Sequence, residues 1–302
     1  MKPPFLTHLY NDLIILKNEN LKKYNTFKVG GNANWVFIIK SKTTLYNVCL
    51  DLQIHHIKFK IIGFGANLLF TDCGFDGVII VNQTRKITIK NNYVYADSGV
   101  AVTALISELI KHGLSGIERL AGIPSTLGGA VTNNLGAFGT EISNFIEYVE
   151  CYNLKNLNKK LRLKACDCAF KYRDSLFKNN EYLITKIKLK LNSCSPQIVK
   201  ENMLYAVKQK IESQPLNYPS AGSVFKRDNA GNFEIIPAKI IDELGLKGFR
   251  VGGAEISKKH AGFIINSNNA TSEDILNLIN MVKEKVKLIK GIDLKLEVEI
   301  VN

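Results

Sequence analysis

The chain has 302 residues, 46% hydrophobic and 22% charged, a composition that excludes disorder and collagen-like repeats and leaves one large or two to three smaller globular domains. Forty Lys and Arg against 27 Asp and Glu give a formal charge of +13, which raises a polyanion-binding reading. Only six of the forty are Arg and Asn occurs 30 times, so the excess is a Lys habit spread along the chain and reads as a solvated surface.

In chain order, 35–39 reads as a strand, and Leu45, Val48, Cys49 and Leu52 mark one face of a helix. Strands follow at 58–62, 68–71, 78–81, 87–89 and 93–96, and a helix over 102–111 stops at Gly113. From 113 to 139 seven glycines stand among Leu120, Ile123, Leu127, Val131, Leu135 and Phe138 with hardly any charge after Arg119. That pattern predicts buried main chain closely approached by another group. Strands return at 146–152, 161–164 and 183–191. A helix over 198–213 opens a separate C-terminal domain, which continues with the small residues 220–226 and a strand, a helix at 238–244 and a strand at 262–266. The last helix has Thr271 as its cap, Asp274 closing the capping box, and an apolar face of Ile275, Leu278, Ile279, Val282, Val286 and Ile289 up to Gly291. A strand over 294–301 ends the chain.

The six cysteines (49, 73, 151, 166, 168 and 194) include no Cys-x-x-Cys and have no second cluster to complete a zinc site, so free buried thiols in a reducing compartment and no metal are expected. Two prolines, a His and an Asp interrupt the first 16 residues where a signal peptide needs an apolar core, and no apolar run reaches the roughly 18 to 20 residues of a membrane span. A soluble, cytoplasmic protein is expected.

Two segments suit a phosphorylated ligand. Gly63-Phe64-Gly65-Ala66-Asn67 follows a strand, so its N–H groups can form an anion-binding nest. It lacks the third glycine and the following helix of a dinucleotide fingerprint. The segment 121–139 places Ser125, Thr126 and a glycine pair at a predicted helix start near Leu127, where peptide N–H groups favour phosphate. Neither contains Gly-Lys-Ser/Thr, which disfavours a P-loop nucleotidase.

In a chain that uses Lys for generic charge, an Arg marks a place where a planar, permanently charged fork is required. Arg173, between strands, is a candidate partner for an anion or enolate, or else a structural partner of Asp174 or another carboxylate. Ser223 has no nucleophile-elbow spacing and no His placed to activate it, yet a hydroxyl without a base can still donate a proton to a carbanion. Glu297 and Glu299 share a face of the terminal strand, and periodicity does not choose between them.

At these residues the sequence resembles the UDP-N-acetylenolpyruvoylglucosamine reductases, flavoenzymes of peptidoglycan precursor synthesis, in the family's shorter variant. The likeness runs in order along nearly the whole chain. It comprises Asn25-Thr26-Phe27-Lys28-Val29-Gly30-Gly31, the 63–68 loop, the 121–141 segment, Tyr172-Arg173-Asp174-Ser175, 220–227, 238–266 and the terminal Leu-Glu-Val-Glu-Ile. Ala66 stands where the family has serine, and Val298 where proline is common.

The resemblance implies an α+β fold. Residues 1–195 would form a two-part FAD-binding region of the PCMH/vanillyl-alcohol-oxidase type, split near 80, and residues 196–302 a substrate-binding domain. It implies Arg173 polarising the enolpyruvyl carboxylate, Ser223 delivering the proton, and Glu299 rather than Glu297 completing the site. FAD contacts are implied at Gly63, Phe64, Gly65, Ala66, Asn67, Leu68, Gly122, Pro124, Ser125, Thr126, Gly128, Gly129, Asn133 and Gly136. Lys226, Arg227 and Arg250 are where residual positive charge would steer a substrate bearing a diphosphate and a carboxylate. NADPH and the UDP-sugar are the expected partners, with no nucleic acid, no membrane and a monomeric state. Two rival readings remain: another FAD-dependent oxidase or dehydrogenase of the same superfamily, although no His or Cys is placed for covalent flavin attachment, and a basic polyanion-binding protein.

Overall fold

The computed structural model describes residues 3–8, 10–230 and 233–302; Met1, Lys2 and Leu9 of the opening stretch and the Gly231-Asn232 pair lie outside the described residues. Helices and strands are mixed along the chain, which falls into two compact units, each assembled from three stretches. One comprises Met1–Lys17, Trp35–Phe64 and Gly77–Gln209, the other Asn18–Asn34, Gly65–Asp76 and Lys210–Asn302.

The first unit holds two apolar cores. In one, the helix Lys42–Ile54, capped by Ser41, lays the fully buried Leu45, Val48, Cys49 and Leu52 against Phe37, Ile39, Val78 and Ile80. The strands Phe59–Ile62 and Phe75–Asn82 pair in parallel, Ile61 opposite Ile80, and the second is buried at seven of its eight positions, as parallel strands are.

The other core lies under an antiparallel sheet in the order Asn156–Lys164, Ile146–Asn153, Tyr182–Lys190, Tyr93–Asp97 and Ile87–Lys90. Val149, Ile187, Leu189, Val94 and Ala96 meet Leu105, Ile106 and Leu109 of the helix Val102–Lys111, and burial of each large side chain contributes about 1.5–3 kcal/mol. Opposite positions bring Tyr148 beside both Lys164 and Lys188, and Lys188 beside Tyr95. Lys188 Nζ sits 3.9 Å from the Tyr93 ring centre, and the Arg162 guanidinium 4.5 Å from that of Tyr148. The chain's own cations thus cover these tyrosine rings.

The second unit packs Phe27, Val29 and Leu69 with Val224, Phe225, Ile264 and the inner face of the helix Ser272–Lys290. Both arms of the Thr271/Asp274 capping box form and Gly291 closes the helix at φ +69. Asp72 adds an acceptor, taking Ser272 N at 2.8 Å. Ile289, grouped with the apolar face by its spacing, is 59% exposed because the packed stripe ends at Val286.

Other expectations need correction. The strand expected over 294–301 is regular only at Glu299–Val301. Its first half makes isolated pairing with 224–226, through Lys226 N to Lys295 O and Glu297 N to Val224 O, both short of a ladder. Phe138, expected inside, is 45% exposed at φ +51, because with Gly139 it forms the two-residue turn of the hairpin Gly136–Ala137/Thr140–Glu141. Of the thiols expected to be buried, Cys49, Cys151 and Cys168 are, whereas Cys73 and Cys166 are exposed. The strands Leu13–Asn20, Arg250–Val251 and Ala254–Ile256 were not legible in the alternation. Among the described residues, no helix is long and apolar enough to cross a membrane.

Candidate active site

The strand Phe59–Ile62 delivers Gly63 onto Thr126: a Cβ at Gly63 would overlap Thr126 Oγ1 and Cγ2, so only glycine lets the two segments meet. Thr126 is 4% exposed, bridges to Ala101, and caps the helix Leu127–Thr132 by accepting from Gly129 N at 3.3 Å. That helix start does not present the open donors that its sequence suggested. Leu127 N donates to Val100 O and Gly128 N to Ser98 O, both at 2.7 Å, and Ala130 N donates to Thr126 O at 2.8 Å. The amides are spent on neighbouring loops, and the polar groups nearby are side chains. Ser125 Oγ donates to Thr126 O and Asn133 Nδ2 to Gly129 O. Gly122 is left-handed at φ +80, Pro124 is exposed, as is Phe64 in the 63–64 turn.

Arg173 occupies a strained position. Lys171 and Asp174 exchange backbone hydrogen bonds of 3.0 and 3.1 Å, closing a turn with Tyr172 and Arg173 at its centre. Arg173 has φ +53, a conformation that costs a side chain about 1–2 kcal/mol. Its guanidinium lies 5.4 Å from the Tyr172 ring centre, and Nη1 comes within 3.2 Å of where a Cβ on Gly136 would be. The missing side chain of Gly136 is the space that Arg173 fills.

The turn is fastened to the glycine segment on both flanks. Asn134, 1% exposed and at φ +39, donates Nδ2 to Lys171 O at 3.0 Å and to Glu141 Oε2 at 2.8 Å, and accepts from Ser143 N at 3.3 Å. Ser175 Oγ donates to Thr132 O at 2.7 Å and accepts from Phe177 N at 3.2 Å. Lys178 Nζ donates to Arg173 O at 2.9 Å. Asp174, the rival partner for Arg173, accepts from Ser175 N. Sequence reasoning missed Asn134 and Glu141. The available signal was an Asn just beyond a short helix, where a left-handed residue is common.

The rest of the expected site belongs to the second unit. Gly65, at φ +61, backs onto Tyr24 O and Asn25, and among the described residues the N–H groups of Gly65 and Ala66 donate to no protein acceptor. Leu68 N donates to Gly65 O, closing the turn. Asn67 holds the terminal strand by donating Nδ2 to Glu297 O (3.0 Å) and accepting Glu299 N (2.9 Å). The register is Glu299 opposite Leu68 and Val301 opposite Phe70, with Val298 buried. Ser223 is half-buried and pairs with Phe263, and the next residue's amide donates to Gly262 O at 2.9 Å. Ser223 and Glu299 thus lie in one unit, close in the fold to the point where the terminal segment changes partner from Val224 to Asn67. Arg173 belongs to the other unit.

Of the residues expected to steer substrate, Arg250 grips the buried Glu255 through Nε at 2.7 Å and Nη2 at 2.6 Å. Arg227 pairs with Glu234 at 3.4 Å. Lys226 is half-buried and tied by its amide to Lys295 O.

The sequence matches the FAD binding domain family over residues 33–155 and the UDP-N-acetylenolpyruvoylglucosamine reductase, C-terminal domain family over residues 214–301. It is 40% identical over 299 residues to the UDP-N-acetylenolpyruvoylglucosamine reductase of Thermosipho melanesiensis, covering 98% of both chains. It is 36% identical over 286 residues to that of Caldanaerobacter subterraneus subsp. tengcongensis, covering 94% of this chain and 93% of the relative. The crystal structure of the reductase from Thermus caldophilus superposes with a TM-score of 0.78 at 28% identity, over 96% of this chain and 99% of the other.

Proposed function

The chain belongs to the UDP-N-acetylenolpyruvoylglucosamine reductase family, and from that premise we propose how its residues divide the reaction. It is an FAD- and NADPH-dependent oxidoreductase of peptidoglycan precursor synthesis, reducing the enolpyruvyl group of UDP-N-acetylglucosamine enolpyruvate to give UDP-N-acetylmuramate. In this reading residues 1–195 form the FAD-binding region and 196–302 the substrate-binding domain, and the enzyme works as a cytoplasmic monomer.

The residues present fit FAD. The acceptor-less amides of Gly65 and Ala66 suit a diphosphate, and the small residues around Gly63 and Gly136 admit a group at main-chain distance. Gly63 to Leu68 would hold it together with Gly122, Pro124, Ser125, Thr126, Gly128, Gly129, Asn133 and Gly136. At the helix start the spent amides leave side chains and glycine Cα surface to make the contacts. When bound, FAD supplies the hydride for the enol ether's β-carbon, received from NADPH.

The protein's part is electrostatic and protic. Arg173 binds the carboxylate of the enolpyruvyl group and stabilises the negative charge that builds there as an enolate. Ser223 Oγ then gives its proton to the carbon beside that carboxylate, and Glu299 completes the site. Lys226, Arg227 and Arg250 would contribute to the field met by the anionic substrate, the last two reduced by their acidic partners. The observation that carries this reading is the placement of Arg173: a strained arginine lying over Gly136 and fastened on both flanks to the expected flavin segment. Ser223→Ala tests the division of labour. NADPH should still bleach the bound flavin while turnover of the enolpyruvyl sugar is lost, and normal turnover would remove Ser223 from its role.

A further inference from the structure

The buried amide of Asn134 lies between the Arg173 turn and the carboxylate of Glu141, and it donates to both. One N–H goes to Lys171 O, which also accepts Asp174 N and so begins the turn. The other goes to Glu141 Oε2. Glu141 Cγ and Arg173 Nη1 each lie 3.2 Å from the position of a Cβ on Gly136, so carboxylate arm and guanidinium border one small space. A carboxylate able to swing there would pair with the guanidinium and compete with the substrate's carboxylate.

We propose that Asn134 is a positioning residue for Arg173: its amide fixes the plane of the 171–174 turn and at the same time holds Glu141 to itself. The proposal rests on the assignment of Arg173 to the substrate carboxylate. Asparagine suits the position physically, because it tolerates a left-handed backbone, supplies two donors and one acceptor from a short planar group, and carries no charge of its own. Aspartate would keep the acceptor for Ser143 N, lose both donors and repel Glu141.

The test uses the full-length flavoprotein and follows its two half-reactions separately without oxygen. Asn134→Asp should bind FAD as the parent does and be reduced by NADPH at the parent rate, while reoxidation by the enolpyruvyl sugar slows about 10- to 100-fold, the size expected of a misplaced catalytic group. The double variant Asn134→Asp/Glu141→Gln rebuilds a 134–141 hydrogen bond but not the one to Lys171 O. It should recover thermal stability and remain slow. Should Asn134→Asp fail to fold, Asn134→Ser, which keeps one donor, is expected to show the same separation of half-reactions. Equal slowing of both half-reactions, parent rates in the single variant, or parent rates in the double variant would overturn the positioning role. Arg173→Gly is measured alongside: if it keeps parent turnover, the assignment of Arg173 fails, whereas if it is slow and Asn134→Asp is not, only the role of Asn134 fails.

Discussion

Ser175 Oγ donates to the Thr132 carbonyl at 2.7 Å, tying the turn that carries Arg173 to the last residue of the helix Leu127–Thr132. The same oxygen accepts Phe177 N, so one side chain both starts the 176–179 turn and anchors the loop. Ser175→Ala removes both bonds at a site only 8% exposed. The expected loss is about 1–3 kcal/mol, read as a fall in Tm, together with slower reoxidation of the flavin by substrate and little change in its reduction.

Arg173→Gly separates function from stability. Release of the left-handed strain, about 1–2 kcal/mol, is set against the lost contact with the Tyr172 ring, about 0.5–1 kcal/mol, and the added freedom of glycine in the unfolded chain, about 0.5–1 kcal/mol. Thermal unfolding should place the variant within a few degrees of the parent, while kcat falls about 10²- to 10³-fold. A large drop in Tm would show that the guanidinium serves the fold.

Glu118 gives the first unit a defined acid sensitivity. It is 6% exposed and accepts Gly116 N at 2.6 Å, Ser115 Oγ at 2.7 Å and Asn202 Nδ2 at 3.3 Å. Burial works to raise its pKa, but the hydrogen bonds from Gly116 N and Ser115 outweigh burial and hold it below the ordinary value of 4.5. A carboxylate with a lowered folded pKa adds stability that is present above its unfolded value and is lost as the pH falls through the folded one. Glu118→Gln should therefore be less stable than the parent at pH 7, by about 1–3 kcal/mol. The gap should narrow as the pH is taken below 4.5. A gap that stays constant across that range would assign the effect to packing.

The order of elements was legible where local signals agree. The Ser272–Lys290 helix announces itself through Thr271, Asp274, its apolar stripe and Gly291; the cap and stop reappear as bonds and an angle, and the stripe as burial up to Val286. The terminal strand was less legible because alternation says nothing about a change of partner: Glu297 N still bonds Val224 O while Glu299 N bonds Asn67 O. The helix start at Leu127 was located correctly, yet its donors are taken by Ser98 and Val100, residues that meet it only through tertiary packing. Arg173 was conspicuous from composition, as one of six arginines among 40 cations. Its positive φ and the two fastenings at Asn134 and Ser175 follow from how two loops meet, which sequence spacing does not encode.

The central claim is that this chain passes hydride from NADPH through FAD to an enolpyruvyl sugar, and the visible spectrum under nitrogen tests it most directly. The purified protein should be yellow, lose its flavin absorbance on addition of NADPH, and regain it when UDP-N-acetylglucosamine enolpyruvate is added in the absence of oxygen. A colourless protein, or one whose colour returns only when oxygen is admitted, would contradict it.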